Sequence, residues 1–129
     1  MIIYFRVCEK QETISHVTRF GNVDKKDMIK RCWKSLQSSV EPSDTIIVIY
    51  DSVSDDTIEF LKSTSNTANC ELVEVPAHSW DYHQHTVTLI DVLEQKASEY
   101  PEELHFILED DYLHVPNALK VLKLALKKW

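Results

Sequence analysis

Apolar residues in this chain gather into short runs that alternate with longer stretches of helical spacing. The first run, Ile2 to Cys8, reads as a strand. Asp24 then opens a helix to about Val40, because Ile29, Cys32 or Trp33, Leu36 and Val40 recur on one face. Glu41-Pro42-Ser43-Asp44 ends it. Thr45 to Tyr50 is almost continuously β-branched, the pattern of a strand covered on both faces. Ser54 caps a short helix through Asp55, Asp56, Ile58 and Leu61, with acids in the first turn where the helix dipole favours them. Cys70 to Val75 alternates and so belongs towards an edge of a sheet. A helix from about Trp80 to Ser98 turns Val87, Ile90, Leu93 and Ala97 inward. Leu104 to Leu108 is the fourth strand. The last helix, Pro116 to Lys128, carries Pro in its first turn, where a missing N–H is harmless.

Strand followed by helix, four times over, predicts a single α/β domain spanning residues 1–129. It should hold a mostly parallel sheet of about four strands with helices on both faces, a Rossmann-like α/β arrangement. Parallel strands all end at one edge, and ligands of such sheets bind there. Two of the strands end in acid: Asp51 follows Tyr50, and Glu109-Asp110-Asp111 follows Leu108. Three carboxylates packed without a nearby Lys or Arg repel one another unless a cation is expected. Hard oxygen ligands on a short turn suit Mg²⁺ or Mn²⁺ and, through the metal, a diphosphate. A solvated acidic turn is the bland reading of the triplet alone, and Asp51 at the same edge weighs against it.

Composition narrows the partners. Hydrophobic residues make up 43% and charged residues 27%, as in an ordinary soluble globular protein. A net charge of -7 without a basic patch argues against nucleic acid. The Lys residues at Lys25-Lys26 and from Lys120 to Lys128 read as solvated helix faces. Cys8, Cys32 and Cys70 are odd in number and widely spaced, as expected of free thiols in a reducing compartment. No run approaches membrane-spanning length, and the apolar start is too brief for a signal peptide, so a cytoplasmic protein without a membrane span is expected.

The stretch Glu9 to Val23 is a long connection of the kind that binds ligands or covers them. It holds the only glycine, Gly21, beside Arg19, Phe20 and Asn22, so neither a dinucleotide fingerprint nor a phosphate-cradling loop is present. Phosphate must then be held by a metal and by side chains. His78, His83 and His85 with Asp81 lack the spacing of a zinc site and read as structural or surface residues, with a ligand contact as the lesser alternative. Trp80 and Tyr82 read as packing anchors and Trp33 as core. Trp129 reads as an exposed end or as packing on a missing part.

Two segments carry a resemblance to a known group. Ile47-Val48-Ile49-Tyr50-Asp51-Ser52-Val53-Ser54-Asp55-Asp56-Thr57 resembles the second strand and turn of GT-A fold nucleotide-sugar glycosyltransferases, in particular family 2-like enzymes. Phe106 through Leu119, with Glu109-Asp110-Asp111 and the Pro116-Asn117-Ala118-Leu119 helix start, resembles their DxD region, with Glu in the first place. The resemblance implies a metal-dependent glycosyltransferase that moves a sugar from a UDP-, GDP- or dTDP-sugar to a glycan or other hydroxyl acceptor. It implies that Asp51 binds the base or ribose, and that Ser54 belongs to the donor site. Asp111 would ligate Mn²⁺ or Mg²⁺, while Asp110 and Glu109 would touch ribose, sugar hydroxyls or metal-bound water. Arg6 would pair with the diphosphate, although the usual Pro-Thr-Tyr-Asn-like end of the first strand is missing.

The family's general base lies well past the DxD helix, so it is expected beyond Trp129. On this reading the chain is the donor-binding part of a longer enzyme, and no catalytic base is assigned within it. A non-catalytic nucleotide-binding module is the alternative. A phosphoryl-receiver domain fits less well, because it needs an acidic pair after the first strand, which here ends Arg6-Val7-Cys8-Glu9.

Overall fold

The computed structural model describes residues 1–9, 24–76 and 82–127, with the side chains of Tyr82 and His83 outside that description. Eight elements follow in strict alternation: β1 (Ile2–Cys8), α1 (Lys25–Gln37), β2 (Thr45–Asp51), α2 (Asp55–Ser63), β3 (Asn69–Glu74), α3 (Tyr82–Glu99), β4 (His105–Glu109) and α4 (Ala118–Leu126). The four strands form one parallel sheet in the order β3-β2-β1-β4. This is the α/β, Rossmann-like architecture that the alternation predicts, with the first four strands in doubly wound order. The chain reverses its direction across the sheet between β1 and β4, which makes that crevice the topological switch point.

Helices cover both faces because the strands are apolar on both. Ile46, Ile47, Val48 and Ile49 of β2 are fully buried. On one face, Ile3, Phe5, Val7, Ile46 and Val48 pack with Ile29, Trp33 and Leu36 of α1, Leu61 of α2 and Leu119 of α4. Trp33 is the largest fully buried side chain, and its ring sits 5.5 Å from that of Phe5. On the other face, Ile2, Tyr4, Ile47 and Ile49 pack with Val75 and with Leu89 of α3, flanked by Val92 and Leu93. Cys8, Cys32 and Cys70 are free thiols. Burial pushes the Cys32 thiol up to about 11, with help from the negative charges of Asp110 and Asp111.

Several sequence expectations are corrected. In α3 the stripe facing the sheet is His85, Thr88, Leu89 and Val92 with Leu93, while Val87 and Ile90 are exposed. The cause is a rotation of the helix that brings His85 down onto Arg6 of β1, 3.4 Å away. Pro116 precedes α4 instead of opening it: Asn117 caps the helix from the left-handed region, φ 66°. Ser54 does hold the N-cap position of α2, but without a side-chain cap bond; its Oγ donates to Glu9 Oε1 at 2.9 Å and lies 3.1 Å from Thr57 Oγ1. The lysines are not all solvated. Lys25 is buried, and Lys123 donates at 2.6 Å to both Glu41 and Asp44. Fully buried Asp44 also pairs with the Met1 amino group at 3.2 Å, so α4 is fastened to the start of the sheet. Burial alone would raise the Asp44 carboxyl, but the bonds from Lys123, from the Glu41 N–H and from the amino terminus hold it below its ordinary value.

Residues 10–23, which include Arg19, Phe20, Gly21 and Asn22, lie outside the described residues. So do His78, Trp80, Asp81 and Trp129.

Candidate functional site

All four strands end at one edge, so Glu9, Asp51, Glu74 and the 109–111 triplet share it. Strand alternation then sorts their side chains between the two faces. Ile47 and Ile49 face α3, and Asp51 continues that row. Tyr4 faces α3 and bonds His105 at 2.8 Å, so Arg6 and Glu109, further along the same rows, face α3 as well. Arg6 lies beside Glu109 in the parallel register, and its Nη1 donates to Glu109 Oε1 at 3.2 Å. Its Nε donates to His85 Nδ1. Three residues selected from sequence, Asp51, Arg6 and Glu109, thus come from three adjacent strands and share one face at one edge. Asp51 is level with Cys8 and Glu109 with Arg6, so Asp51 and Glu109 stand two strand spacings and two residues apart, about 12 Å, with β1 between them.

Asp110 points the other way, as alternation requires. Its Oδ2 accepts from the Cys8 N–H at 2.9 Å, and its Oδ1 accepts from Lys25 Nζ at 2.5 Å. Both ends of this ion pair are nearly out of water, with side-chain exposures of 8% and 10%. The pair ties the end of β4 to the end of β1 and to the first residue of α1. Asp110, expected among the donor contacts, is therefore committed to the fold. The triplet is also not bare of cations, because Lys25 and Arg6 each meet one of its acids. Asp111 differs from both neighbours: it is exposed and bonded to no described group.

Ser54, at the α2 N-terminus, is bonded to Glu9 and Thr57, so its hydroxyl serves the local turn. Just before it Ser52 takes a positive φ of 51° and donates to Asp51 Oδ1 at 3.0 Å. This turn holds one oxygen of Asp51, and no described group bonds the other.

Lys25 is a site residue that the sequence presents as surface, and His85 one that it presents as structural or surface, with a ligand contact as the lesser alternative. The Lys25-Lys26 doublet looks like surface, and only the fold reveals that the first lysine meets Asp110. His85 carried a usable signal, since it shares a helical face with Leu89 and Val92. Burial lowers its basicity, and the neighbouring Arg6 guanidinium lowers it further. His114, after β4, is lowered by burial as well. A histidine held neutral in the fold stabilises it above the unfolded value of 6.5 and loses that contribution as pH falls. The urea midpoint should therefore drop between about pH 7.5 and about pH 5.5, a range spanning the ordinary histidine titration. The carboxylates of Asp44, Glu99 and Glu103, lowered from ordinary values near 4, add their losses only at more acid pH. His85→Gln should flatten the drop, and a wild-type midpoint identical at both pH values would contradict this.

Among the described residues, no group of three or more His, Cys, Asp or Glu side chains is gathered to hold a metal ion. Asp111 nevertheless fits a hard cation that arrives with a diphosphate. Mg²⁺ commonly takes only one or two protein carboxylates, with phosphate and water oxygens completing its shell. A bare, exposed carboxylate is the donor such an ion needs; a dedicated protein cage is not.

A cavity of about 240 Å³ lies at the opposite edge, among Met1, Thr45, Asn69, Glu71, Lys96 and Glu103. It contains strand starts and is remote from the acids at the strand ends. No helix of the described residues is long and apolar enough to cross a membrane.

No protein-family model matches this chain, and neither a curated protein nor a solved structure matches it. The functional reading therefore rests on the site's own chemistry.

Proposed function

We propose that this domain is the donor-binding part of a metal-dependent glycosyltransferase of the GT-A type. It would hold a nucleoside-diphosphate sugar at the strand-end edge. The observation that carries this reading is the convergence of Asp51, Arg6 and Glu109 on the α3 face, with exposed Asp111 two residues further along. A nucleoside diphosphate asks for these features: a carboxylate for ribose or base, a guanidinium for phosphate, and a carboxylate for the cation that phosphate brings.

In this arrangement Asp51 accepts hydrogen bonds from ribose hydroxyls or the base, and the Ser52 bond keeps its carboxylate oriented. Arg6 pairs with diphosphate oxygens, which requires it to loosen from Glu109. That exposed pair is weak, so an incoming diphosphate can compete for it. His85 steadies the guanidinium from the α3 side. Asp111 holds Mn²⁺ or Mg²⁺, which supplies charge stabilisation for the nucleoside diphosphate as it leaves. The acceptor is a glycan or other hydroxyl compound. The three free thiols suit a reducing, cytoplasmic setting.

Calorimetric titration with UDP, GDP and dTDP, with and without Mn²⁺, tests the proposal. Binding of at least one of them, tightened by Mn²⁺, is expected; no heat for any nucleotide under either condition would overturn it. Asp51→Ala should weaken nucleotide binding about tenfold with or without metal, a loss of about 1.4 kcal/mol. Unchanged affinity would remove Asp51 from the site.

A receiver domain is disfavoured by topology. Its strand order, 2-1-3-4-5, places the third strand beside the first, whereas β1 here lies between β2 and β4.

A further inference from the structure

Arg6 is held from two sides before any ligand arrives. Its Nε meets His85 Nδ1 at 3.4 Å, and its Nη1 donates to Glu109 Oε1 at 3.2 Å. The parallel register sets Arg6 level with Glu109, so the two side chains leave neighbouring strands at one height and on one face. Their surroundings are unequal: the Arg6 side chain is 15% exposed and that of Glu109 47%. The guanidinium is the fixed partner, anchored from α3 by His85, and the carboxylate is the one with room to leave.

A carboxylate on a guanidinium occupies donors that a phosphate would use, because both anions present paired oxygens to the same planar fork. A diphosphate that arrives bare must displace Glu109 and then sit close to a charge of its own sign. One that arrives with a divalent cation brings positive charge to Asp111, two residues along the chain, and the displaced carboxylate then faces an opposite charge. The same acid works against the bare anion and not against its metal complex. A donor contact from Glu109, the role that the acidic triplet suggests, would make loss of its charge weaken binding. Competition for Arg6 makes the same loss tighten it.

We propose that Glu109 is a specificity-determining residue: it competes for Arg6 and so makes the site prefer a metal-bound diphosphate to a free one. This inference rests on the nucleotide reading of the strand-end edge and adds a selective role for Glu109 to it. An exposed ion pair is closed about three-quarters of the time, which leaves Arg6 open to a bare diphosphate for about one quarter. Removing the competitor should then tighten metal-free binding about fourfold.

Calorimetric titration with a nucleoside diphosphate, in metal-free buffer and with Mn²⁺, tests this on two variants of an exposed position. Glu109→Gln keeps the size of the side chain and removes its charge. It should bind about fourfold tighter than wild type without metal, and no tighter with Mn²⁺. Glu109→Asp keeps the charge and draws the oxygens back by one methylene, away from Nη1. It too should bind tighter than wild type without metal, by at least about twofold. Unchanged or weaker metal-free binding by Glu109→Gln would overturn the inference and leave the nucleotide reading standing. An equal gain with Mn²⁺ would overturn it as well, and so would a Glu109→Asp variant that binds like wild type, since charge repulsion alone would then explain the gain. If wild type binds no nucleoside diphosphate under either condition, the nucleotide reading fails, and inorganic pyrophosphate decides the competition by itself. Pyrophosphate bound about fourfold tighter by Glu109→Gln would uphold Glu109 as the competitor for Arg6; equal affinities, or no binding to either, would overturn it.

Discussion

Asp110→Ala is expected to destabilise the fold by about 3–5 kcal/mol, the cost of breaking a buried ion pair from one side. The substitution leaves the Lys25 ammonium in a site with 8% side-chain exposure and no other described carboxylate paired with it. It also strips the Cys8 N–H of its acceptor. Urea unfolding should show the loss as a lower midpoint with an unchanged slope. A double-mutant cycle with Lys25→Met isolates the pair itself. Because replacing both charges by apolar groups is often nearly neutral, Lys25→Met combined with Asp110→Leu should recover most of the stability. If Asp110→Ala cost less than about 1 kcal/mol, the usual range for an exposed pair, Asp110 would be returned to the candidate ligands.

Asp111→Asn should do the opposite. Asp111 is exposed and bonded to no described group, so stability should change by no more than about 0.5 kcal/mol. Affinity for the nucleoside diphosphate measured with Mn²⁺ should nevertheless fall about tenfold or more, to the level seen without metal. Asparagine keeps the size and one carbonyl oxygen of aspartate but removes the charge, and a hard cation bound by one protein carboxylate depends on that charge. Nucleotide binding without metal should be the same in variant and wild type. Mn²⁺-assisted binding that survives intact in the variant would refute the assignment of Asp111. Together the two substitutions separate neighbours in sequence into one residue for the fold and one for the ligand.

Part of the division within the triplet was within reach of the sequence, because strand alternation alone places Glu109 and Asp110 on opposite faces. The identity of Asp110's partner was not. Lys25 lies 85 residues away in a lysine doublet that reads as surface, and only the packing of α1 over the β1 end brings it in. The strands were legible for a simple reason: β1, β2 and β4 are short apolar runs, and β2 is buried on both faces. Their shared edge followed from the alternation of strand and helix, and with it the placement of Asp51 near the triplet.

Helix α3 was legible as a helix but not in its rotation. Its apolar residues form two overlapping stripes, one through Val87 and Ile90 and one through Leu89 and Val92. Hydrophobic spacing does not choose between them. The Arg6–His85 contact favours the second, so two apolar residues face solvent while His85 and Thr88 are buried. A polar contact across 79 positions sets the helix face, and local periodicity carries no trace of it. Pro116 misplaced the start of α4 for a related reason. Proline suits a first helical turn, but here Asn117 takes the left-handed cap and the helix begins after it.

On the proposed function, ligand and cation meet at the strand-end edge on the α3 side. Paramagnetic broadening by Mn²⁺ locates them most directly. In the presence of the nucleoside diphosphate that binds, Mn²⁺ should selectively broaden the backbone amide signals of Cys8, Ser52, Asp111 and Tyr112, leaving those of Thr45 and Asn69 sharp. Broadening centred instead on Thr45, Asn69 and Glu103, around the cavity at the strand starts, would contradict it.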